Sequence, residues 1–520
     1  MSRRCPEFNE ANRRLWSGVS AGTTAVGLLL VEPQPHPVIS HCNAVFARII
    51  KEAKGLDIGW IDDGDPVSQD RLKSYDPTSR TIPLAFPFIR ALAAGVEYLR
   101  AAWKLLLSGD ILSFSTDGVV LGDILYDSCL ARYKLATISR VNPSVLLNLL
   151  ILLANYYRYK ELLRIYPVQA VLVSHEVGIT SGVLMRAALR SGINVFHRRS
   201  GSPAVQFNLL TSLSDVYISA DRPHPDDMQI LSSMDPERVD REFRQLTDRR
   251  MRHRDDEDAG RAFGIEKKVY RSKQEFAADF DFAAREKFVF VMLHAFNDHP
   301  HSHCGEMIFR DYYQWFVKTL EHAKSQTDVT WVFKEHPSAD FYPTRDISLP
   351  DLFEACPEHV VFLPSESSFN SESLVYIADV IVTVAGTAGI EFAAQAGVPP
   401  VLAGTTVYSG FGFTLEPRNE QEYFRLLSNV KAIERLSKAQ QDIARRIFLY
   451  TQVYAYMPFS WQPVVSGESL RSSELDSHFW LAVRDLYLAE GDRLLTEFRK
   501  FSAHVGEAGF SRLSRLRYSP

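Results

Sequence analysis

Cysteine is scarce in this chain, and the few cysteines form no pattern. The 520 residues contain five, at positions 5, 42, 129, 304 and 356, with no CxxC pair. Scattered cysteines of odd number predict free thiols in a reducing compartment and not a disulfide framework. An excess of positive charge is lacking too. The net charge is -5, and nucleic-acid-binding domains are usually basic, so no nucleic-acid partner is expected.

Long apolar runs are also missing. The most apolar stretch, Val145–Tyr157, is interrupted by Asn148 and Asn155 and lies between Arg140 and Arg158. A membrane-spanning helix needs about 20 apolar residues. We interpret the stretch as a buried helix, with a membrane-facing helix as the alternative. The start of the chain is polar and shows no apolar segment of a signal peptide, so a cytoplasmic location is expected.

What is present is an ordinary globular composition, with 46% apolar and 23% charged residues. A chain of this length predicts two domains. Apolar strand-like runs alternate with helical spacing in both halves, which predicts an α/β fold with ligands at the carboxyl ends of the strands. The predicted parts are an N-terminal α/β domain (1–234), a charged helical connector (235–286), a C-terminal α/β domain (287–450), and C-terminal helices with a basic tail (451–520).

A glycine-lined turn follows an apolar strand in the segment Val380–Thr405. It consists of Gly386, Thr387, Ala388 and Gly389. Small residues before a helix allow backbone N–H groups to approach an anion, and the helix start adds a favourable field. Thr387 could donate to a phosphate, and Glu391 could accept both hydroxyls of a ribose. The alternative is a tight turn in which Glu391 only complements the helix dipole.

The second motif is the strand end Trp331–Pro337. It delivers Lys334, Glu335 and His336 to the sheet edge, and Pro337 stops further pairing. His336 could bind a phosphate and stabilise charge that develops on it. The alternative is a solvated strand end with a Lys334–Glu335 pair.

These two motifs together resemble the C-terminal domain of GT-B glycosyltransferases that build bacterial capsule and lipopolysaccharide. The closest resemblance is to capsule-type transferases, including the Kdo-transferring group, over about residues 287–413. The matching elements are His336-Pro337, Gly386–Glu391, Gly397-Val398-Pro399 and Tyr408.

The resemblance implies two Rossmann-like domains facing across a cleft, followed by C-terminal helices. It further implies a nucleotide-sugar donor as substrate, no cofactor, and a glycan or lipid-linked acceptor. Bacterial sialyltransferases use a similar His-Pro element for CMP-sugars, so a CMP-sugar is the favoured donor. The N-terminal domain would bind the acceptor and the C-terminal domain the donor.

A histidine-rich loop, His294–Cys304, follows the first strand of the C-terminal half. One interpretation is a zinc site. We prefer a loop whose Asn297 and Asp298 contact donor or acceptor, and a plain surface loop is the third alternative. Because no pair of acidic residues suggests a metal site, metal-independent transfer is expected.

The catalytic base or nucleophile is expected in the N-terminal half. Carboxylates that follow strands are the candidates, and Glu176 and Asp117 are chosen. A base would serve an inverting enzyme and a nucleophile a retaining one, and the sequence leaves both open.

The end of the chain mixes basic and apolar residues, which suggests peripheral contact with the inner membrane or a frayed tail. Its cations are Arg499, Lys500, Arg512, Arg515 and Arg517. Three other functions stay open: a nucleotide-sugar epimerase or a polyol-phosphate transferase on the same scaffold, and a non-catalytic binding protein in polysaccharide export.

Overall fold

The computed structural model describes residues 5–19, 27–84, 87–200, 204–218, 221–253, 257–302, 305–463, 475–506 and 512–513. The chain divides into two compact units. The first comprises Met1–Leu125, Leu146–Ala220 and Tyr454–Pro520, and the second comprises Tyr126–Val145 and Asp221–Val453.

The strands are, in chain order, β1 (Gly27–Val31), β2 (Leu56–Ile61), β3 (Arg80–Ile82), β4 (Ser115–Thr116), β5 (Val119–Val120), β6 (Val168–Val173), β7 (Asn194–Ser200), β8 (Ala204–Leu210), β9 (Phe288–Met292), β10 (Thr330–Lys334), β11 (Val360–Leu363), β12 (Val380–Thr383), β13 (Pro400–Leu402), β14 (Met457–Pro458) and β15 (Arg512–Leu513).

The α-helices are α1 (Pro6–Ser17), α2 (Pro37–Lys54), α3 (Pro66–Tyr75), α4 (Phe88–Ser108), α5 (Gly122–Tyr133), α6 (Pro143–Ile165), α7 (Val183–Arg190), α8 (Pro225–Ser233), α9 (Pro236–Asp248), α10 (Glu257–Ala262), α11 (Lys273–Asp279), α12 (Tyr312–Ser325), α13 (Leu349–Phe353), α14 (Leu374–Ile377), α15 (Thr387–Ala396), α16 (Glu420–Ser428), α17 (Lys438–Leu449) and α18 (Leu475–Gly506).

The sheet of the first unit has the order β14-β8-β7-β6-β1-β2-β3, with β15 also paired to β8. Strands β7, β6, β1, β2 and β3 run parallel, while β8 runs antiparallel to β7. A parallel sheet requires cover on its faces, and α2 and α18 belong to the same apolar core as β1 and β2.

The sheet of the second unit has the order β11-β10-β9-β12-β13, and all its strands are parallel. Strand β9 reads Phe-Val-Phe-Val-Met and β10 reads Thr-Trp-Val-Phe-Lys, with nearly every side chain buried. Such continuous apolar runs suit strands that are covered on both faces. The predicted α/β class, with a largely parallel sheet in each half, is confirmed.

The units differ from the predicted divisions of the chain. Residues 235–286, predicted as a connector, belong to the second unit, where Phe276 is fully buried and packs on Phe288 at 6.1 Å. Residues from Tyr454 onward join the first unit, where Trp461 stacks on Trp16 at 5.1 Å. The first of these segments was interpreted as a connector because it is rich in charged residues. Its few aromatic residues supply its packing.

Helix α6 contains the stretch Val145–Tyr157. Leu149, Leu152 and Tyr156 are fully buried, as predicted, whereas Leu147 and Leu150 are exposed. Across the described ranges, no helix combines the length and the apolar character that crossing a bilayer requires. Arg515 and Arg517 of the predicted basic tail lie outside the described residues.

Candidate functional site

Three strand ends come together at the carboxyl edge of the second sheet. Lys334 at the end of β10 pairs in register with Met292 at the end of β9, and β12 pairs with β9 on its other side. The two predicted motifs therefore do not lie on adjacent strands. Strand β9 separates them and contributes His294 to the same edge.

A cavity of ≈ 390 Å³ lies at this edge, within the second unit. That volume is in the range of small-molecule sites. Most of the predicted donor-binding residues line it: Asp298, Lys334, His336, Pro337, Gly386, Thr387, Ala388 and Glu391. The structure thus brings the His-Pro element and the glycine-lined turn to one cavity, as the sequence predicts.

Asn297 and Gly389 are not among the lining residues. Asn297 is buried and donates from Nδ2 to the carbonyl oxygen of Pro343 at 3.2 Å. Position 389 has no room for a side chain, because a Cβ on Gly389 would lie 2.4 Å from the hydroxyl oxygen of Tyr408. That space lets Tyr408 donate to the carbonyl oxygen of Gly386 at 2.6 Å. Gly389 and Tyr408 together fix the start of α15.

The first turn of α15 is open to a ligand. Gly386 is its N-cap residue, and no side chain caps the helix. The Gly386 N–H donates to the hydroxyl of Thr383 at 3.1 Å, and Thr387 is exposed. Because the first N–H groups of a helix have no partner within it, this turn suits an anion.

Lys334 places a buried cation at the cavity. Its residue is 2% exposed, and burial, followed by the charge of Lys267, lowers the pKa of its ammonium group to about 8. Within the described part of the chain, its ammonium group makes a single hydrogen bond, to the carbonyl oxygen of Glu335 at 3.5 Å. The charge of Glu335 offsets this pKa shift only in part, so an anion in the cavity would supply further counter-charge.

His336 is oriented by the backbone after β10. Its Nδ1 accepts from the Ser338 N–H at 3.2 Å, which leaves the proton of the neutral ring on Nε2. Burial lowers the pKa of His336, although nearby Asp258 opposes the shift. A neutral imidazole with a hydrogen on Nε2 can donate to a ligand oxygen.

His294 is a second imidazole at the cavity, and the sequence indicated it only as part of the histidine-rich loop. Its Nε2 accepts from the Ala385 N–H at 3.3 Å and lies 3.1 Å from the hydroxyl of Thr383. The ring stacks on Tyr312 at 4.3 Å. Burial, followed by the charge of His336, lowers the pKa of His294 to about 3. The ring is therefore neutral. Its contacts connect the segment after β9 to the turn before α15.

Glu391 forms a buried ion pair at the cavity. Its two oxygens accept from Arg250, at 3.1 Å from Nε and 3.5 Å from Nη2, and both residues are buried. Arg250 also donates to Gln452 at 3.2 Å. The carboxylate thus orients an arginine at the cavity. Each of its oxygens keeps a second lone pair, so the contact with a ribose stays a prediction. Arg250 was missed because it lies in the segment interpreted as a connector.

In the first unit, the predicted base Glu176 follows β6 and is ion-paired. Its carboxylate lies 3.1 Å from His197 Nε2 and 3.6 Å from Arg199 Nη2. The neighbouring His175 reaches the surface. Its Nδ1 lies 2.8 Å from the hydroxyl of Ser174, and that hydroxyl donates to the buried carboxylate of Glu32.

This chain of groups fixes the tautomer of His175. The single hydroxyl hydrogen of Ser174 goes to Glu32, so Nδ1 of His175 must donate to Ser174 and Nε2 carries the lone pair. No residue of the described ranges hydrogen-bonds to that Nε2. Partial burial of the ring lowers the pKa of His175. The arrangement yields a neutral imidazole with an accessible basic nitrogen.

Asp117, the other predicted catalytic carboxylate, lies in the turn between β4 and β5. Asp117 and Gly118 both have positive φ, 51° and 74°, as expected for a two-residue hairpin turn. The carboxylate accepts from Lys160 at 2.5 Å. Asp117 is therefore in a hairpin, and not at the carboxyl end of a strand in the parallel sheet.

The histidine-rich loop lies partly outside the described residues, since His303 and Cys304 are not described. Among the side chains that are, no three of His, Cys, Asp or Glu lie close enough to hold a metal ion. The main-chain N–H groups of His301 and Ser302 donate to Asp127 at 3.1 and 2.6 Å.

No protein-family model matches the chain, and no curated protein matches it. Solved structures do. One is the β-Kdo 2,4-transferase KpsC of Thermosulfurimonas dismutans, with 15% identity, 54% of this chain and 79% of that chain covered, and a TM-score of 0.33. Another is the UDP-GlcNAc 2-epimerase of Methanocaldococcus jannaschii, with 12% identity, 81% and 97% covered, and a TM-score of 0.29. A third is the glycosyltransferase SnogD of Streptomyces nogalater, with 13% identity, 82% and 95% covered, and a TM-score of 0.24. With all three TM-scores below 0.5, function has to be inferred from the site residues themselves.

Proposed function

We propose that the protein is a glycosyltransferase whose second unit binds a nucleotide-sugar donor. One observation carries this proposal: Lys334, His336 and the uncapped start of α15 line a single cavity of ≈ 390 Å³. A buried cation, a hydrogen-bond donor and open backbone N–H groups suit a phosphate that links two larger groups.

The same groups would assist departure of the nucleotide. As the bond between the sugar and the phosphate breaks, negative charge grows on the phosphate oxygens. Lys334, His336 Nε2–H and the N–H groups of α15 would stabilise that charge through an arrangement that exists before the ligand arrives. Transfer would then need no metal ion at the phosphate.

His175 is the better candidate for the base than Glu176. Nε2 of His175 carries a lone pair and no competing contact among the described residues, whereas the Glu176 carboxylate is ion-paired with Arg199 and lies beside His197. The base would remove a proton from the acceptor hydroxyl as that hydroxyl attacks the anomeric carbon. A base in this role corresponds to inversion at that carbon.

The substrates follow from the motif resemblance. The His336-Pro337 element favours a CMP-sugar, and the match to capsule-type transferases favours a glycan or lipid-linked acceptor in bacterial surface polysaccharide assembly. The protein would act at the cytoplasmic side of the inner membrane.

The test is a thermal-shift screen of the whole protein with CMP, CDP, UDP and GDP. A nucleotide at 100 times its dissociation constant should stabilise the fold by about 2.7 kcal/mol. Thr387→Glu places a carboxylate where the phosphate would bind. A negative charge at a helix start stabilises the helix by about 0.3–1 kcal/mol, so this variant should fold normally and lose the nucleotide response.

Gln421→Glu is the matched control, because Gln421 is exposed in the first turn of α16 and does not line the cavity. It should respond like the unchanged protein. Stabilisation by no nucleotide, or an equal response of Thr387→Glu and the control, would contradict the proposal. Turnover of a nucleotide-sugar with no acceptor present would identify an epimerase instead.

A further inference from the structure

Helix α4 carries an exposed apolar face in the first unit. Six large apolar side chains recur at intervals of three or four residues, so they share one side of the helix. They are Phe88, Leu92, Val96, Leu99, Trp103 and Leu106, and each is between 54% and 82% exposed. Single exposed apolar residues are common, whereas a continuous face of this length marks an interaction surface.

This face is separate from the side by which α4 packs. Ala94, Ala101 and Leu105 are buried, and they lie on the opposite side of the helix at its 3.6-residue period. The helix therefore has two apolar sides, and only the side that carries mainly small residues packs within the fold.

Two unpaired cations border the exposed face. Arg100 and Lys104 are exposed, each directly follows a residue of the face, and neither forms an ion pair with any described residue. The helix contains one acidic residue, Glu97, which accepts from the hydroxyl of Thr116 at 3.3 Å. Large apolar side chains beside Lys and Arg are the pattern of helices that lie in a membrane interface.

We infer that this face of α4 docks on the surface of an anionic phospholipid bilayer. Phe88, Leu99 and Trp103 would enter the boundary between headgroups and acyl chains. Arg100 and Lys104 would pair with the headgroup phosphates. The inference is independent of the proposed transferase activity.

A second copy of the chain fits the face less well. In a two-fold contact the same surface meets itself. Arg100 and Lys104 would then face a helix whose single carboxylate is already hydrogen-bonded to Thr116. Anionic lipid satisfies both the apolar face and the cations.

The test is co-sedimentation of the full-length protein with vesicles. One set contains phosphatidylcholine alone and the other contains phosphatidylcholine with phosphatidylglycerol. The unchanged protein should sediment with the anionic vesicles and less so in high salt. The double variant Leu99→Glu/Trp103→Glu should lower the partition constant about 100-fold or more. The double variant Arg100→Glu/Lys104→Glu should lower it about tenfold on the anionic vesicles only.

Ile265→Glu is the matched control, since Ile265 is 88% exposed and lies in the other unit. It should sediment like the unchanged protein. Melting curves show whether each variant is folded, and all substituted side chains are exposed. Absence of sedimentation, or equal sedimentation of the unchanged protein and Leu99→Glu/Trp103→Glu, overturns the inference. So does a dimer in size-exclusion chromatography that this variant converts to monomer, because a second copy then occupies the face.

Discussion

The carboxyl edges of the two sheets differ in how their charged groups and imidazoles are arranged. In the second unit, Lys334, His336 and the start of α15 offer groups that suit an anion, and the carboxylates of Asp258, Asp298, Glu335 and Glu391 line the same cavity. In the first unit, carboxylates lie next to imidazoles. Glu32 is linked to His175 through the hydroxyl of Ser174, and Glu176 lies beside His197. The α/β architecture is shared, and the residues that follow the strands decide the chemistry. One edge is suited to stabilising negative charge and the other to accepting a proton.

The sharpest test of this difference is His175→Asn. Asparagine retains polarity and removes the basic Nε2, so transfer should fall by about 1,000-fold, within the range for a general base. The nucleotide-induced rise in melting temperature should be unchanged. Glu176→Gln is the control and should lower transfer much less.

The pH profile gives a further test of the same residue. The lowered pKa of His175 favours the neutral ring near pH 7, so the rate should hold near neutral pH and decline in more acidic solution as the ring is protonated. A larger loss in Glu176→Gln than in His175→Asn would return the role of the base to Glu176.

The next effect should come from His336→Ala. Transfer should fall by about 100-fold, because one donor to the developing charge is removed. The free energy of unfolding should change by less than about 1 kcal/mol, since His336 is only partly buried and its Nδ1 contact is a local turn. Steady-state kinetics and denaturant unfolding measure the two quantities. Parallel losses in both would identify a structural histidine and weaken the contrast between the edges.

Lys334→Met should have the smallest effect on function and an opposite effect on stability. Nucleotide affinity should fall about tenfold, as measured by titration calorimetry. The free energy of unfolding should rise by about 1–4 kcal/mol at pH 7, because a buried charge with a weak partner is replaced by an apolar chain of similar length.

The sign of the pH dependence follows from the lowered pKa of Lys334. Its folded-state value of about 8 lies below the usual 10.5, so the charged form destabilises the folded state below pH 8. The advantage of Lys334→Met should therefore be full below pH 8 and disappear as the pH rises to 10.5. Nucleotide affinity of the unchanged protein should decrease above pH 8, and that of Lys334→Met should not. A variant less stable than the unchanged protein at pH 7 would contradict this account of the cation.

Local sequence patterns predicted the second sheet well. Strand β9 is an unbroken apolar run, and β10 ends at Lys334 just before the His-Pro element, so their burial and their ends could be read from the residues. The order of the strands in the sheet could not be predicted in this way. Nothing in the sequence of β10 or β12 indicates that β9 lies between them, because strand order depends on the packing of the whole unit.

The site shows the same limit. The glycine-lined turn and His336 were predicted, because small residues and an imidazole after strands have a direct chemical meaning. The pairing of Glu391 with Arg250, 141 residues earlier in the chain, was not. Nor was the tautomer of His175, which depends on Glu32, 142 residues from Ser174. Contacts over such separations exist only in the folded chain.

The contact between Tyr408 and Gly386 has a consequence for how a ligand meets α15. The phenol hydroxyl holds the carbonyl of the N-cap residue, and it can do so only because position 389 lacks a side chain. The N–H groups of the first turn are thus held in position before a ligand binds. Capture of a phosphate there would order little additional backbone, so most of the attraction would appear as affinity. A larger residue at 389 would collide with the Tyr408 hydroxyl and displace the contact that holds the first turn.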